Sequence, residues 1–250
     1  MAKTEYYYGV HSVESLLEQE PERVLTLFTL KGKDDKRLHN ILQLAAPFGI
    51  SVQPTARDRL EKMAGLPFHQ GIVAAVRPQP TLNEQDLDAL LQKLNTQQKA
   101  PLLLALDQIT DPHNLGACIR TAAAMGVDAV IVPRDRSAAL TPTARKVAAG
   151  GAEKVDFIQV TNLGKTLAHL KEQNIKVVGT LLDEQAKSIQ DCDLTGALVI
   201  VMGAEDTGIR PINQAQCDEK VYIPMQGDLQ SLNVSVATGM ALYEACRQRT

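Results

Sequence analysis

From residue 101 onward the chain alternates uninterrupted apolar runs with amphipathic stretches, and this alternation constrains the fold more than any other feature. PLLLALD (101–107), DAVIVP (128–133) and GALVIVMG (196–203) lack the polar alternation of a half-exposed strand, and IKVVGTLL (175–182) follows the amphipathic stretch at 162–174. Strands buried on both faces read this way, because neither face needs polar side chains. KVYIPM (220–225) is a further strand candidate, and the segments 111–126, 162–174 and 233–249 carry helical patterns. Strands alternating with helices predict an α/β fold with a parallel sheet covered on both sides.

The first part of the chain has the same ingredients on a smaller scale. VLTLFTL (24–30) and GIVAAV (71–76) read as strands, and 11–19 and 35–49 as helices, the second ending near Pro47 and Gly49. RPQPTLNEQ (77–85) brings two prolines and a rise in polarity, the mark of a linker, before a helical segment at 86–95. The expected organisation is a small α/β domain at 1–77, a linker and connecting helix at 78–97, and a larger domain at 98–250.

Bulk properties exclude several classes. A hydrophobic fraction of 44% with 22% charged residues is ordinary for a globular chain. No apolar run approaches a membrane span and the N-terminus lacks the build of a signal peptide, so a cytoplasmic protein without a membrane partner is expected. Cys118, Cys192, Cys217 and Cys246 are scattered with no CxxC pair, so no metal site is expected. The net charge of −3 does not announce a nucleic-acid binder, although basic patches occur at 31–37, 57–62 and at Arg134, Arg136, Arg145 and Lys146. The dinucleotide and phosphate-loop glycine fingerprints are missing, which argues against an oxidoreductase of the usual nicotinamide-binding type.

Three short segments carry candidate chemistry. In DPHNLGACIRTAAAMG (111–126), Asp111 and Asn114 are N-cap types and Pro112 suits a first turn. Leu115, Ile119 and Ala122 share one helical stripe, while Arg120 projects roughly 140° from Leu115 among small neighbours. In VMGAEDTGI (201–209), a buried strand ends at Gly203 and is followed by Glu205, either a ligand-binding acid or a helix cap. In IPMQGDLQSLNVSVATG (223–239), Ser231, Asn233 and Ser235 crowd a helix start. Val234, Val236 and Thr238 form helix poorly, so tertiary contacts must hold that start.

Each segment alone is ordinary, but in order they are specific. N-x-G-A-x-x-R-T at 114–121, G-x-E at 203–205 and S-L-N-V-S at 231–235 resemble the SpoU branch of the SPOUT RNA methyltransferases. The resemblance runs from about 101 to the C-terminus. It extends through YYGVHSVESLL (7–17) and FHQGIVA (68–74) to the family's substrate-binding domain, which is similar in fold to a ribosomal protein. Within the family the chain most resembles the 23S rRNA (guanosine-2′-O-)-methyltransferases.

This resemblance implies a SPOUT domain with a deep C-terminal trefoil knot and a homodimer. It also implies S-adenosylmethionine-dependent methylation of a guanosine ribose in the peptidyl-transferase region of 23S rRNA, free or in a ribosome precursor. Asn114, Arg120, Glu205, Ser231 and Asn233 would be the catalytic set, and Thr180, Gly203, Ile223, Met225 and Leu232 would contact the cofactor. A 2′-hydroxyl titrating five or six units above neutral would cost roughly 7–8 kcal/mol to deprotonate beforehand. The family pattern puts Arg120 at that hydroxyl. Because a guanidinium stays protonated, Arg120 suits phosphate binding and oxyanion stabilisation better than base catalysis. Two alternatives are a tRNA ribose methyltransferase of the same family and a non-catalytic RNA-binding protein; the separate first domain favours ribosomal RNA.

Overall fold

The structure is a computed structural model describing residues 4–32, 36–65, 67, 69–78, 81–181, 183, 186–227 and 231–249. The chain opens with β1 (Glu5–Tyr8), α1 (Val10–Gln19), β2 (Val24–Leu30), α2 (Lys36–Ala45), β3 (Ser51–Thr55), α3 (Arg57–Ala64) and β4 (Ile72–Val76). These strands form a sheet in the order β1-β4-β2-β3, antiparallel except for the parallel β2–β3 pair. The central β4 is buried throughout, as its apolar run requires. Val13, Leu16, Leu17 and Ile41 fill one face, and Tyr8, Phe28 and Leu60 the other. The sequence pattern did not show β1, β3 or α3. β3 lies at the sheet edge, carries Pro54 and exposes Ser51 to Pro54, so it has neither an apolar run nor an inner face to betray it.

α4 (Glu84–Thr96) starts two residues earlier than its apolar pattern indicates. Asn83 accepts from Gln85 N at 2.8 Å while Asp86 accepts from Asn83 N at 2.8 Å, and this reciprocal cap fixes the start. Leu82 makes a parallel bridge to Ile158. The described end of the segment read as a linker is therefore docked on the second sheet; residues 79 and 80 lie outside the described residues.

The larger sheet is built from β5 (Leu102–Asp107), α5 (Pro112–Ala124), β6 (Ala129–Pro133), α6 (Pro142–Ala148), β7 (Asp156–Val160), α7 (Leu163–Glu172), β8 (Lys176–Thr180), β9 (Lys187–Ser188), β10 (Leu198–Gly203), α8 (Pro211–Gln214), β11 (Glu219–Tyr222) and α9 (Val234–Arg249). Its seven strands are ordered β7-β6-β5-β10-β8-β11-β9 and every neighbouring pair is parallel. The interior strand β5 shows why the apolar runs are continuous. Leu102, Leu104 and Leu106 pack with residues of α5 and α9, while Leu103 and Ala105 pack with Leu87 and Leu91 of α4 and Leu167 of α7. On α5 the stripe Leu115, Ile119 and Ala122 is fully buried and Arg120 is exposed. A Cβ on Gly116 would lie 2.4 Å from Ala144 O, so α6 crosses α5 too closely for any side chain there.

The alanines of α9 face inward. Ala241 and Ala245 are fully buried in the core that includes α5, whereas Val236, Met240 and Tyr243 are exposed. Arg145 is not part of a surface patch either. It is buried between the two sheets' domains, 3.0 Å from Glu153 Oε1, with its guanidinium 4.5 Å from the Tyr7 ring centroid. Beside it Ser15 Oγ donates to Gly150 O at 3.1 Å, and Lys146 Nζ sits 5.5 Å from the Tyr8 ring centroid. The two domains thus meet in polar and aromatic contacts on α6 and the turn after it.

Candidate active site

Open parallel sheets bind ligands outside the carboxyl ends of their strands, and the three segments singled out in the sequence converge there. Asp111 caps α5 by accepting from His113 N at 3.0 Å, which places Asn114 in the first turn above the end of β5. Glu205 leaves the end of β10 through a tight loop in which Gly208 N donates to Ala204 O at 2.8 Å. A Cβ on Gly203 would lie 2.1 Å from Gly208 C, so the loop can fold back over the strand end only with glycine there. Asn233 stands at the start of α9 and caps it, accepting from Ser235 N at 2.9 Å.

These side chains form one hydrogen-bonded cluster. Glu205 Oε1 accepts from Asn114 Nδ2 at 3.2 Å, Asn233 Nδ2 at 2.6 Å and Val234 N at 3.1 Å, and Asn233 Nδ2 also reaches Asn114 Oδ1 at 2.9 Å. Glu205 is therefore both readings at once: a carboxylate beside a cavity and the acceptor for an N-terminal amide of α9. Its Oε2 makes no hydrogen bond among the described residues. Held in this way, Val234 can begin a helix that its own propensity would not favour. Nearby, burial pushes the Cys118 thiol up to about 11, against a weaker opposing contact with Thr238, so it stays protonated and inert at neutral pH.

A cavity of about 380 Å³ opens beside the cluster. Thr180, Gly203, Ile223, Met225 and Leu232, the positions expected at a cofactor, all line it, together with Glu205 and Ser231. Apolar side chains and main-chain groups dominate its walls, which suits a neutral adenine ring, and the Glu205 carboxylate suits a sulfonium cation. Among the described residues no group of His, Cys, Asp and Glu side chains is arranged to hold a metal.

Two expected members of the site stand apart from the cluster. The Arg120 side chain makes no hydrogen bond or ion pair among the described residues, and its backbone rests against Gly151, whose added Cβ would lie 3.1 Å from Arg120 Cα. Ser231 lines the cavity without joining the cluster. A neighbouring group was missed altogether. Asp107, fully buried at the last position of β5, accepts from Arg210 N at 2.8 Å, Arg210 Nε at 2.9 Å and Asn213 Nδ2 at 2.7 Å. It anchors the far side of the Glu205 loop. The only local hint was an acid closing the apolar run PLLLALD.

The parallel sheet with a cavity at its strand ends, closed by an Asn–Glu–Asn cluster, defines an α/β enzyme that binds its cofactor without a glycine fingerprint. Comparison with known proteins narrows this class. Residues 101–243 match the model of the SpoU rRNA Methylase family, and residues 6–82 match the model for RNA 2′-O ribose methyltransferase substrate binding. The chain is 77% identical to the 23S rRNA (guanosine-2′-O-)-methyltransferase RlmB of Acinetobacter baylyi, over 100% of this chain and 99% of that protein. Its structure is similar to that of the SpoU methyltransferase AviRb from Streptomyces viridochromogenes in complex with AdoMet. That match has a TM-score of 0.79 and 25% identity, over 97% of this chain and 89% of that one. The A. aeolicus TrmH/SpoU tRNA modifying enzyme matches with a TM-score of 0.56 and 31% identity, over 64% of this chain and 84% of that one. The chain belongs to the SpoU rRNA methylase family.

Proposed function

We propose that the protein methylates a guanosine ribose 2′-hydroxyl in the peptidyl-transferase region of 23S rRNA, using S-adenosylmethionine, during ribosome assembly in the cytoplasm. The observation that carries this reading is the meeting of Asn114, Glu205 and Asn233, from segments far apart in sequence, beside a cavity lined by all five expected cofactor contacts. The identity of the relatives, named for this activity, supports the substrate.

The cofactor supplies an electrophilic methyl group when bound; the protein's task is to orient the ribose and steady charge on its 2′-oxygen. Arg120, exposed and with no side-chain partner among the described residues, binds the neighbouring phosphate and stabilises the developing oxyanion. Asn114, fixed by Glu205 and Asn233, positions the ribose. Ser231 and Asn233 position the substrate and the final loop, and the first domain (1–77), carried on the 78–97 segment, grips RNA while 98–250 does the chemistry.

We further infer a homodimer and a knotted C-terminal segment. The exposed Val236, Met240 and Tyr243 border an apolar recess that shares Ile223 with the cofactor cavity, so a second copy seated there would adjoin the active site. The return of the chain from the outlying β11 to α9, packed on α5 and β10, is consistent with a knot at the strand ends.

The test uses purified protein, S-adenosylmethionine labelled on its methyl group, and two RNA pools: large-subunit rRNA lacking 2′-O-methyl marks, and bulk tRNA. Label entering rRNA at a ribose is the expected result. Label in tRNA alone would keep the chemistry and overturn the substrate; the tRNA enzyme's match to only 64% of this chain speaks against that outcome. No transfer and no cofactor binding by calorimetry would leave an RNA-binding protein.

A further inference from the structure

A second cavity, of about 320 Å³, lies on the other side of the 204–207 loop from the cofactor cavity. The loops that follow β5 and β6 form its walls, tied together by Ala138 N donating to Ile109 O at 2.7 Å. Asn114 and Glu205 border it, so it opens directly onto the cluster that would orient the ribose. Its charged lining is mixed: Arg136 on one loop, Asp111 and Asp206 on the others. Arg136 and Asp206 make no side-chain hydrogen bond or ion pair among the described residues, and Asp111 uses only Oδ1 in capping α5. Gln108 and Arg136 hold left-handed backbone, with φ of 63° and 57°. Such conformations are costly for residues other than glycine and collect at functional sites.

The lining indicates what the cavity takes. A phosphate would meet Arg136 but also the carboxylates of Asp111, Glu205 and Asp206. A simple cation would meet the carboxylates but also Arg136. A neutral ring with donors on one edge and acceptors on the other satisfies both sets. Among the bases, guanine alone offers N1–H and the N2 amine as adjacent donors, with O6 and N7 as adjacent acceptors for a guanidinium fork. Adenine would set its N1 lone pair against a carboxylate. Sequence-specific RNA recognition commonly reads unstacked bases on these two edges.

We propose that this cavity receives the base of the nucleotide whose ribose is methylated and selects guanine, Arg136 donating to O6 and N7 and Asp206 accepting from N1–H and N2. The proposal rests on the RNA methyltransferase reading above and adds the residues that set its base preference.

The test compares single-turnover methyl transfer to large-subunit rRNA carrying the mapped target guanosine with transfer to the same RNA carrying adenosine there. It uses the wild-type chain, Arg136→Ala, Arg136→Lys and Asp206→Asn, and S-adenosylmethionine affinity is measured by calorimetry in parallel. The expected result is a marked wild-type preference for guanosine that falls by about 10-fold or more in each variant. Arg136→Lys should fail like Arg136→Ala because it keeps the charge and loses the fork, while cofactor affinity stays constant. An unchanged guanosine-to-adenosine ratio in all variants would overturn the pocket. So would a parallel loss of cofactor affinity in the Arg136 variants, which would assign the cavity to the methionine end of the cofactor; Asp206 lines both cavities, so its variant is read by the base ratio alone. No transfer by the wild-type chain to any RNA would instead remove the reading beneath it.

Discussion

Two carboxylates sit at the ends of adjacent strands, Asp107 on β5 and Glu205 just past the end of β10, where Gly203 pairs in register with Asp107. Asp107 is fully buried, and both its oxygens are engaged by Arg210 and Asn213. Glu205 is exposed, and its contacts with Asn114, Asn233 and Val234 all fall on Oε1. A buried charge must be fully satisfied or it destabilises the fold, so the first carboxylate has nothing left to offer a ligand. The second keeps a free oxygen beside two cavities. Neighbouring positions on one sheet edge thus divide into an anchor that holds the loop's shape and a group that faces the ligands.

If that division is right, removing each group should fail in a different way. Asp107→Ala leaves Arg210 and Asn213 without their acceptor and should cost about 3–5 kcal/mol of stability, read by denaturant unfolding. A loss below about 1 kcal/mol would mean that Asp107 is no anchor. Arg120→Ala should behave in the opposite way. With no side-chain partner among the described residues to lose, it should keep its melting midpoint and cofactor affinity, while methyl transfer falls roughly 10²–10³-fold, the usual cost of removing an oxyanion donor. Full activity in that variant would remove Arg120 from the chemistry.

Gly203→Ala perturbs both carboxylates at once, because its position pairs with Asp107 and begins the Glu205 loop. The added Cβ would meet the backbone at Gly208, so the Glu205 loop must shift. A stability loss of about 1–3 kcal/mol with weakened cofactor binding by calorimetry is expected; unaltered binding would show that the loop tolerates displacement.

A third carboxylate, Glu219, gives the smallest effect. Burial disfavours its charge, but ion pairs with Lys176 and Lys187 and the Cys192 thiol outweigh this and hold it down at about 2. Because the folded value lies below the unfolded 4.5, the stabilisation is full above pH 4.5 and is lost as pH falls toward 2. The group is partly solvated, so Glu219→Gln should cost only about 1 kcal/mol near pH 7. The gap between the two melting curves should close in acid; a gap independent of pH would assign the effect to packing.

The parts legible in the sequence share a physical reason. Periodicity exposed the stripe Leu115, Ile119 and Ala122 and set Arg120 outside it, because helical geometry is local. The apolar runs revealed the buried strands, and the resemblance supplied Asn114, Glu205 and Asn233, which the fold then brings within hydrogen-bonding distance. The Asp107–Arg210 pair stayed hidden because its partners lie 103 residues apart and neither belongs to a recognisable pattern. β3 was missed because an exposed edge strand with Pro54 carries no apolar signal. Alanines like those of α9 suit a partner's surface as well as the chain's own core. Only the packed structure shows that Ala241 and Ala245 face the core and that Val236, Met240 and Tyr243 face outward.

The most direct test of the division between anchor and ligand-facing group is the single-turnover methyl-transfer rate of Glu205→Ala at saturating RNA and S-adenosylmethionine, with its melting midpoint taken alongside. Losing one capping acceptor on α9 should cost only about 1 kcal/mol, while freeing Asn114 and Asn233 should lower the rate roughly 100-fold or more. A chain that transfers methyl at the wild-type rate, or one that unfolds as Asp107→Ala does, would contradict the account.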